Sequence, residues 1–201
     1  MKSLVYLTIL AIVLSGTQLT IAQPFKNAME LNVGRSFHGG SADLSGLIVD
    51  FSHFYRFRKH IGLVSSLAST MHFRSDIYSP FDRYPDYYTT AGVQLSASIR
   101  FSFDLAKAHE FHLSVGPLIR FQADSNPNLS SATYDPNSTN DFKQRFEFES
   151  QTSLSPGYIV VAGYTATIKS KLRLGARIYF QNDTGGDVIT CISPSIGLLF
   201  K

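Results

Sequence analysis

The 201 residues carry few charges. Asp, Glu, Lys and Arg make up 16%, well below the roughly 25% usual for soluble domains, so a chain this poor in charge has difficulty covering a water-facing surface. The net charge of +3 is too small to point to nucleic acid, and with Cys191 as the single cysteine an intrachain disulfide scaffold is excluded.

The chain opens as a secretory signal peptide. Lys2 gives a short positive region, and Leu4 to Leu14 is an apolar run broken only by Thr8. Ser15, Gly16 and Thr17 end that run. Thr20 and Ala22 put small residues where a signal peptidase reads them, which predicts residues 1–22 as the signal and residues 23–201 as one mature domain. The apolar run is shorter than the about 20 residues a spanning helix needs. No Cys follows the small residues, so this is not a lipoprotein signal. No helical span follows residue 22 either. An exported chain with an apolar surface and no spanning helix leaves the closed β-barrel as its membrane solution.

Period-two alternation predicts the strands. The first three, about Ala28 to Phe37, Leu47 to Phe57 and Ile61 to Phe73, carry it weakly. In the first, Met29, Leu31 and Val33 oppose Glu30, Asn32 and Gly34. In Ala91 to Phe103, Val93, Leu95, Ala97, Ile99, Phe101 and Phe103 oppose Gln94, Ser96, Ser98, Arg100 and Ser102. Phe111 to Gln122 repeats this, with Leu118 as the exception. Arg145 to Glu149 alternates in phase with the strand through Tyr158 to Ile168, where Ile159 and Val161 blur the polar face. Lys171 to Gln181 alternates cleanly. Thr190 to Lys201 does so with Leu199 as an exception. These segments predict an all-β fold: an eight-stranded antiparallel up-and-down transmembrane barrel.

The connections alternate in length. Arg58 to His60, Asp104 to His109 and Lys169-Ser170 are short. His38 to Asp43, Arg74 to Tyr87, Ala123 to Gln144 and Asn182 to Asp187 are longer. Short turns facing the periplasm and longer loops facing outward are what such barrels show. The Asn-, Ser-, Pro- and Thr-rich stretch 123–144 reads as a mobile polar loop. Loop 74–87 holds Tyr78, Phe81, Arg83 and Tyr84, which reads as aromatic packing over the mouth, with surface contact as the other use.

The inward face predicts a lumen charge network of Glu30, Asp50, Arg56, Arg100, His112, Arg120, Arg173 and Arg177, with Glu30 and Asp50 pairing with some of the arginines. An eight-stranded lumen is just wide enough for side chains, so it is read as filled, the narrow arginine-lined pore being the rival. Phe37, Phe57, Phe73, Phe103, Phe111, Tyr158, Phe180 and Phe200 are read as aromatic girdles.

Three stretches carry a resemblance: Arg58-Lys59-His60-Ile61-Gly62-Leu63, His112-Leu113-Ser114-Val115-Gly116-Pro117-Leu118, and the ending Ser195-Ile196-Gly197-Leu198-Leu199-Phe200-Lys201. The mature chain resembles the small eight-stranded outer-membrane β-barrel domain families of Gram-negative bacteria. That resemblance implies residence in the outer membrane, contact with lipid bilayer and lipopolysaccharide, and a monomer. It also implies Phe200 as the aromatic read by the barrel-assembly machinery, although Lys201 makes it penultimate. Some barrels of this class act on lipid A acyl chains through a His and a Ser. His112 and Ser114, beside Glu110, have that spacing but share the predicted lumen face, so no enzyme is expected. No cofactor or metal motif is present in the sequence. The other rival is a soluble lipocalin-like barrel with its apolar face turned inward around a small apolar ligand.

Overall fold

The computed structural model describes residues 26–39, 44–76, 86–106, 108–133, 145–168 and 171–200. The expected signal peptide, most of loop 74–87 and the tip of loop 123–144 lie outside them. Eight strands follow in chain order: β1 (Asn27–Gly39), β2 (Leu44–Arg58), β3 (Ile61–Asp76), β4 (Asp86–Ala106), β5 (His109–Thr133), β6 (Arg145–Ile168), β7 (Leu172–Asp183) and β8 (Val188–Phe200). Each pairs antiparallel with its chain neighbours, and β1 pairs with β8, closing the barrel. No described helix is long and apolar enough to cross a membrane.

The closing seam matches Asn27 to Phe200 and Gly39 to Val188. β1 therefore begins, and β8 ends, at the end of the barrel that carries the Lys59-His60 turn. Gly186, with φ of 83°, takes the left-handed conformation that the turn between β7 and β8 requires.

The described hairpins reach further than alternation alone predicts. β3 runs to Asp76 and β4 begins at Asp86, so the ends of the expected loop 74–87 are strand. The expected loop 123–144 is corrected more strongly. Ala123 to Thr133 belongs to β5, and Ala123 faces Thr152 while Asn128 faces Glu147 on β6. Backbone hydrogen bonds to a neighbouring strand satisfy the peptide groups whatever the side chains, so a polar, Asn-rich stretch stays in the ladder.

The side chains sort by parity. Leu47, Val49 and Phe51 of β2 are exposed, whereas Ile48, Asp50 and Ser52 are buried. Leu95 is 61% exposed while its neighbour Gln94 is 3% exposed. All around the barrel the outer surface is a belt of Leu, Ile, Val, Met and Phe, and most of the enclosed side chains are polar. This is inside out relative to a water-soluble barrel, and it removes the lipocalin-like alternative, which needs the apolar face within.

Candidate functional site: the lumen

At the turn end, Ala28, Phe54 and Val64 form a small apolar cluster packed by Leu199. Gly62 admits Phe54: a Cβ there would come within 2.3 Å of the Phe54 ring. The Arg100 guanidinium lies 4.6 Å from the Phe54 ring centroid, a cation–π contact at the floor of the charged region.

Above that floor two glutamates gather the arginines. Glu110 Oε1 accepts from Arg100 Nη2 and Arg173 Nη2, each at 3.1 Å, and from Ser102 Oγ at 3.0 Å. Glu110 Oε2 accepts from Arg56 Nη2 at 2.6 Å. Glu30, on β1, pairs with Arg100 at 3.4 Å, with Arg173 at 3.3 Å and with Arg177. Asp50 lies 3.7 Å from Arg177 and accepts from Asn32 Nδ2 at 2.8 Å. Arg177 Nη1 also donates to Ser52 Oγ at 3.1 Å. Because β1 lies between β2 and β8, the pairing of Glu30 with Arg100 of β4 spans the lumen. Charges this buried require such mutual neutralisation, since an isolated one costs many kcal/mol.

His112 sits in the same layer. Arg100 Nη2 lies 2.7 Å from His112 Nδ1. A guanidinium can only donate, so Nδ1 accepts and the proton sits on Nε2. Gly163 makes room for the ring, since a Cβ there would lie 2.4 Å from Nε2.

Next comes an apolar belt of Ile48, Ala68, Leu118, Ile159, Tyr179, Ile189 and Cys191. The breaks in alternation at Leu118 and Ile159 are thus lumen-filling side chains. At the long-loop end a second polar cluster follows. Arg120 lies 3.6 Å from Asp183 and 3.9 Å from Asp187, and His38 Nε2 lies 3.3 Å from Asp187. The His38 and His72 rings are 5.2 Å apart between centroids.

Of the eight lumen residues expected from the sequence, Glu30, Asp50, Arg56, Arg100, His112, Arg173 and Arg177 come together in one layer. Arg120 does not; it belongs to the second cluster. Arg56 pairs with Glu110. Glu110 is the hub that the sequence reading placed beside a candidate catalytic pair. Its parity with His112 and Ser114 carried the signal. His112 and Ser114 are both enclosed in the lumen, and His112 Nδ1 is taken by Arg100.

On the outside, all eight expected girdle aromatics are exposed. Phe57, Phe103, Phe111 and Phe200 ring the turn end, and Phe37, Phe73, Tyr158 and Phe180 ring the other. Phe103 and Phe111 face each other across β4 and β5 with centroids 6.4 Å apart. Tyr158 and Phe180 stand 6.2 Å apart. Arg35 lies 5.1 Å from the Phe37 ring centroid. Among the described residues no group of three His, Cys, Asp or Glu converges to hold a metal.

No protein-family model and no curated protein matches the sequence. Solved structures do match in fold. Ail, the attachment invasion locus protein of Yersinia pestis, is 11% identical with a TM-score of 0.54, covering 89% of this chain and 100% of its own. Neisserial surface protein A is 13% identical with a TM-score of 0.55, covering 87% and 97%. OprG of Pseudomonas aeruginosa is 8% identical with a TM-score of 0.52, covering 90% and 96%. The closed ring of eight antiparallel strands and these matches agree: the chain has the fold of the small eight-stranded outer-membrane β-barrels.

Proposed function

We propose that the protein is a monomeric barrel integral to the bacterial outer membrane, with a plugged lumen and a structural or surface-interaction role. In this reading residues 1–22 are removed on export. The short turns face the periplasm, the long hairpins face outward, and Phe200 is presented to the barrel-assembly machinery. The belt meets acyl chains, and the outer girdle meets lipopolysaccharide.

The observation that carries the reading is the bridging of the lumen by Glu30 and Glu110 with four arginines. Side chains from β1, β2, β4, β5 and β7 meet one another across the lumen, which supports a plug. His112 is held as part of that plug, which argues against a catalytic use. The surface-interaction part has support from a protein of the same fold: Ail, named for attachment and invasion, was solved in complex with the heparin analogue sucrose octasulfate. Reconstitution in planar bilayers tests the plug. A silent bilayer is expected from protein that shows heat-modifiable gel migration. Discrete conductance steps from such protein would overturn the plugged lumen and favour the pore.

A further inference from the structure

The β5–β6 hairpin outruns its neighbours. β6 stays paired with β5 from Ala166 out to Arg145, but its pairing with β7 stops where Gly157 meets Asp183. One further backbone hydrogen bond, from Thr184 N to Pro156 O, ends that side. From Arg145 to Ser155 no described strand pairs with the β7-facing edge of β6.

Parity decides which backbone groups that edge presents. Thr167 N donates to Ala108 O on the β5 side, whereas Pro156 O accepts on the β7 side. Odd-numbered residues of β6 therefore serve β5. The N–H and C=O groups of Phe146, Phe148, Ser150, Thr152 and Leu154 point to the open edge. Such a row is a template for another strand, and natural edges are commonly guarded by Lys, Pro or a bulge. The opposite edge of the hairpin has such a guard, Pro127, just beyond Ser125, the last β5 residue paired with β4. Arg145 to Ser155 contains no Lys, Pro or Gly.

Charge decides what fits there. Glu147 and Glu149 take alternate positions on β6, level with Asn128 and Asn126 of β5. Asp124 follows on the same face, level with Gln151. Across the ladder the two glutamates meet only neutral positions, and Arg145 is the one cation between Asp124 and Thr133 and between Arg145 and Ser155. A cation at the cross-strand position on the open side supplies the missing pair. A second copy of this edge would instead bring its own Glu147 and Glu149.

We propose that the open edge of β6 binds an extended polypeptide segment as an added antiparallel strand, one with Lys or Arg at alternate positions to meet Glu147 and Glu149. This deepens the surface-interaction reading and rests on the long hairpins facing outward. Its test is distinct from that of the plug, because peptide binding in detergent does not depend on whether the lumen conducts.

The probe is a fluorescent synthetic peptide alternating Lys and Thr, long enough to span Phe146 to Leu154. It is titrated against the folded protein in zwitterionic detergent and followed by anisotropy; saturable binding is expected. Lysines level with the glutamates turn their own N–H groups away from β6, and the threonines turn theirs toward it. N-methylation of the threonine amides is therefore expected to weaken binding by about tenfold or more, and N-methylation of the lysine amides, at equal charge, to leave it. Thr152→Pro removes an edge donor and spares the β5 ladder, so it is expected to weaken binding by about tenfold. Ser150→Pro serves if that variant does not fold, and if neither folds the two methylated peptides decide alone. Glu147→Gln with Glu149→Gln is expected to weaken binding by about two- to fivefold per charge. Equal binding of the two methylated peptides, equal binding of a peptide alternating Gln and Thr, or an edge occupied by a second copy in dimers that Thr152→Pro abolishes would each overturn the proposal.

Discussion

Arg100 on β4 and Glu110 on β5 approach across the hairpin that joins their strands, Arg100 Nη2 donating to Glu110 Oε1 at 3.1 Å. The same oxygen also receives Arg173, so one carboxylate holds together strands on opposite sides of the lumen. The position of Glu110 follows from elementary parity. It shares the inward face with His112 and Ser114 and lies beside the turn, opposite Asp104, with Ser102 Oγ donating to it.

Replacing that carboxylate is expected to be severe. Glu110→Gln strips Arg56, Arg100 and Arg173 of a shared counter-charge while keeping the shape. Breaking a buried pair from one side typically costs about 3–5 kcal/mol. Urea unfolding in detergent is the measurement. A loss below about 1 kcal/mol, in the range of exposed pairs, would mean the cluster is hydrated and weak.

Gly163 is expected to be coupled to His112. Gly163→Ala puts a methyl group 2.4 Å from His112 Nε2 and displaces the ring from Arg100. The single substitution is expected to destabilise by about 1–3 kcal/mol, as overpacking does. His112→Ala in the same chain should recover part of that loss. Additive losses in the double variant would show that the two residues do not press on each other.

At the long-loop end, Asp187 gives a pH dependence. Burial pushes its carboxyl up, but the hydrogen bond and charge of His38, with Gln122 and Arg120, outweigh burial and hold it below its ordinary 3.8. A carboxylate lowered by folding stabilises the folded state above its unfolded value. That contribution is lost as pH falls through the folded value. Stability is therefore expected to fall below about pH 4. Asp187→Asn should flatten this part of the profile, and an unchanged profile would remove His38 and Arg120 as its partners.

Much of the wall was legible in the sequence because a strand with one face in hydrocarbon and one in a polar lumen must alternate. Leu95 beside Gln94 and Ser96 is such a case. The reach of β5 to Thr133 was not legible, because beyond Ala123 neither face has a reason to be apolar and only the backbone ladder remains. The lumen charge cluster was half legible. Parity alone places Glu30, Arg100, Arg173 and Arg177 inside, but which arginine meets which carboxylate depends on the stagger of strands far apart in sequence. Hence Arg120, inward like the others, sits with Asp183 and Asp187 instead of Glu30. Leu118 and Ile159 looked like noise in the pattern because an apolar belt inside the lumen is invisible to a two-face rule.

The exterior predicts a depth-dependent cost for charge. Leu95→Arg is expected to destabilise the barrel in bilayers by about 2–4 kcal/mol, the range for a cation at the midplane of such barrels. The same change at Leu105, beside the turn, should cost about 0–1 kcal/mol. Equal costs at the two positions would contradict a hydrocarbon belt.

The most direct measurement uses the absence of Trp from the chain. Leu95→Trp supplies one fluorophore on the outer face at mid-strand. In vesicles carrying lipids brominated along the acyl chain, its emission is predicted to be blue-shifted and strongly quenched, most of all by bromine near the bilayer centre. Emission that ignores the brominated lipids and is quenched by aqueous iodide would contradict the account.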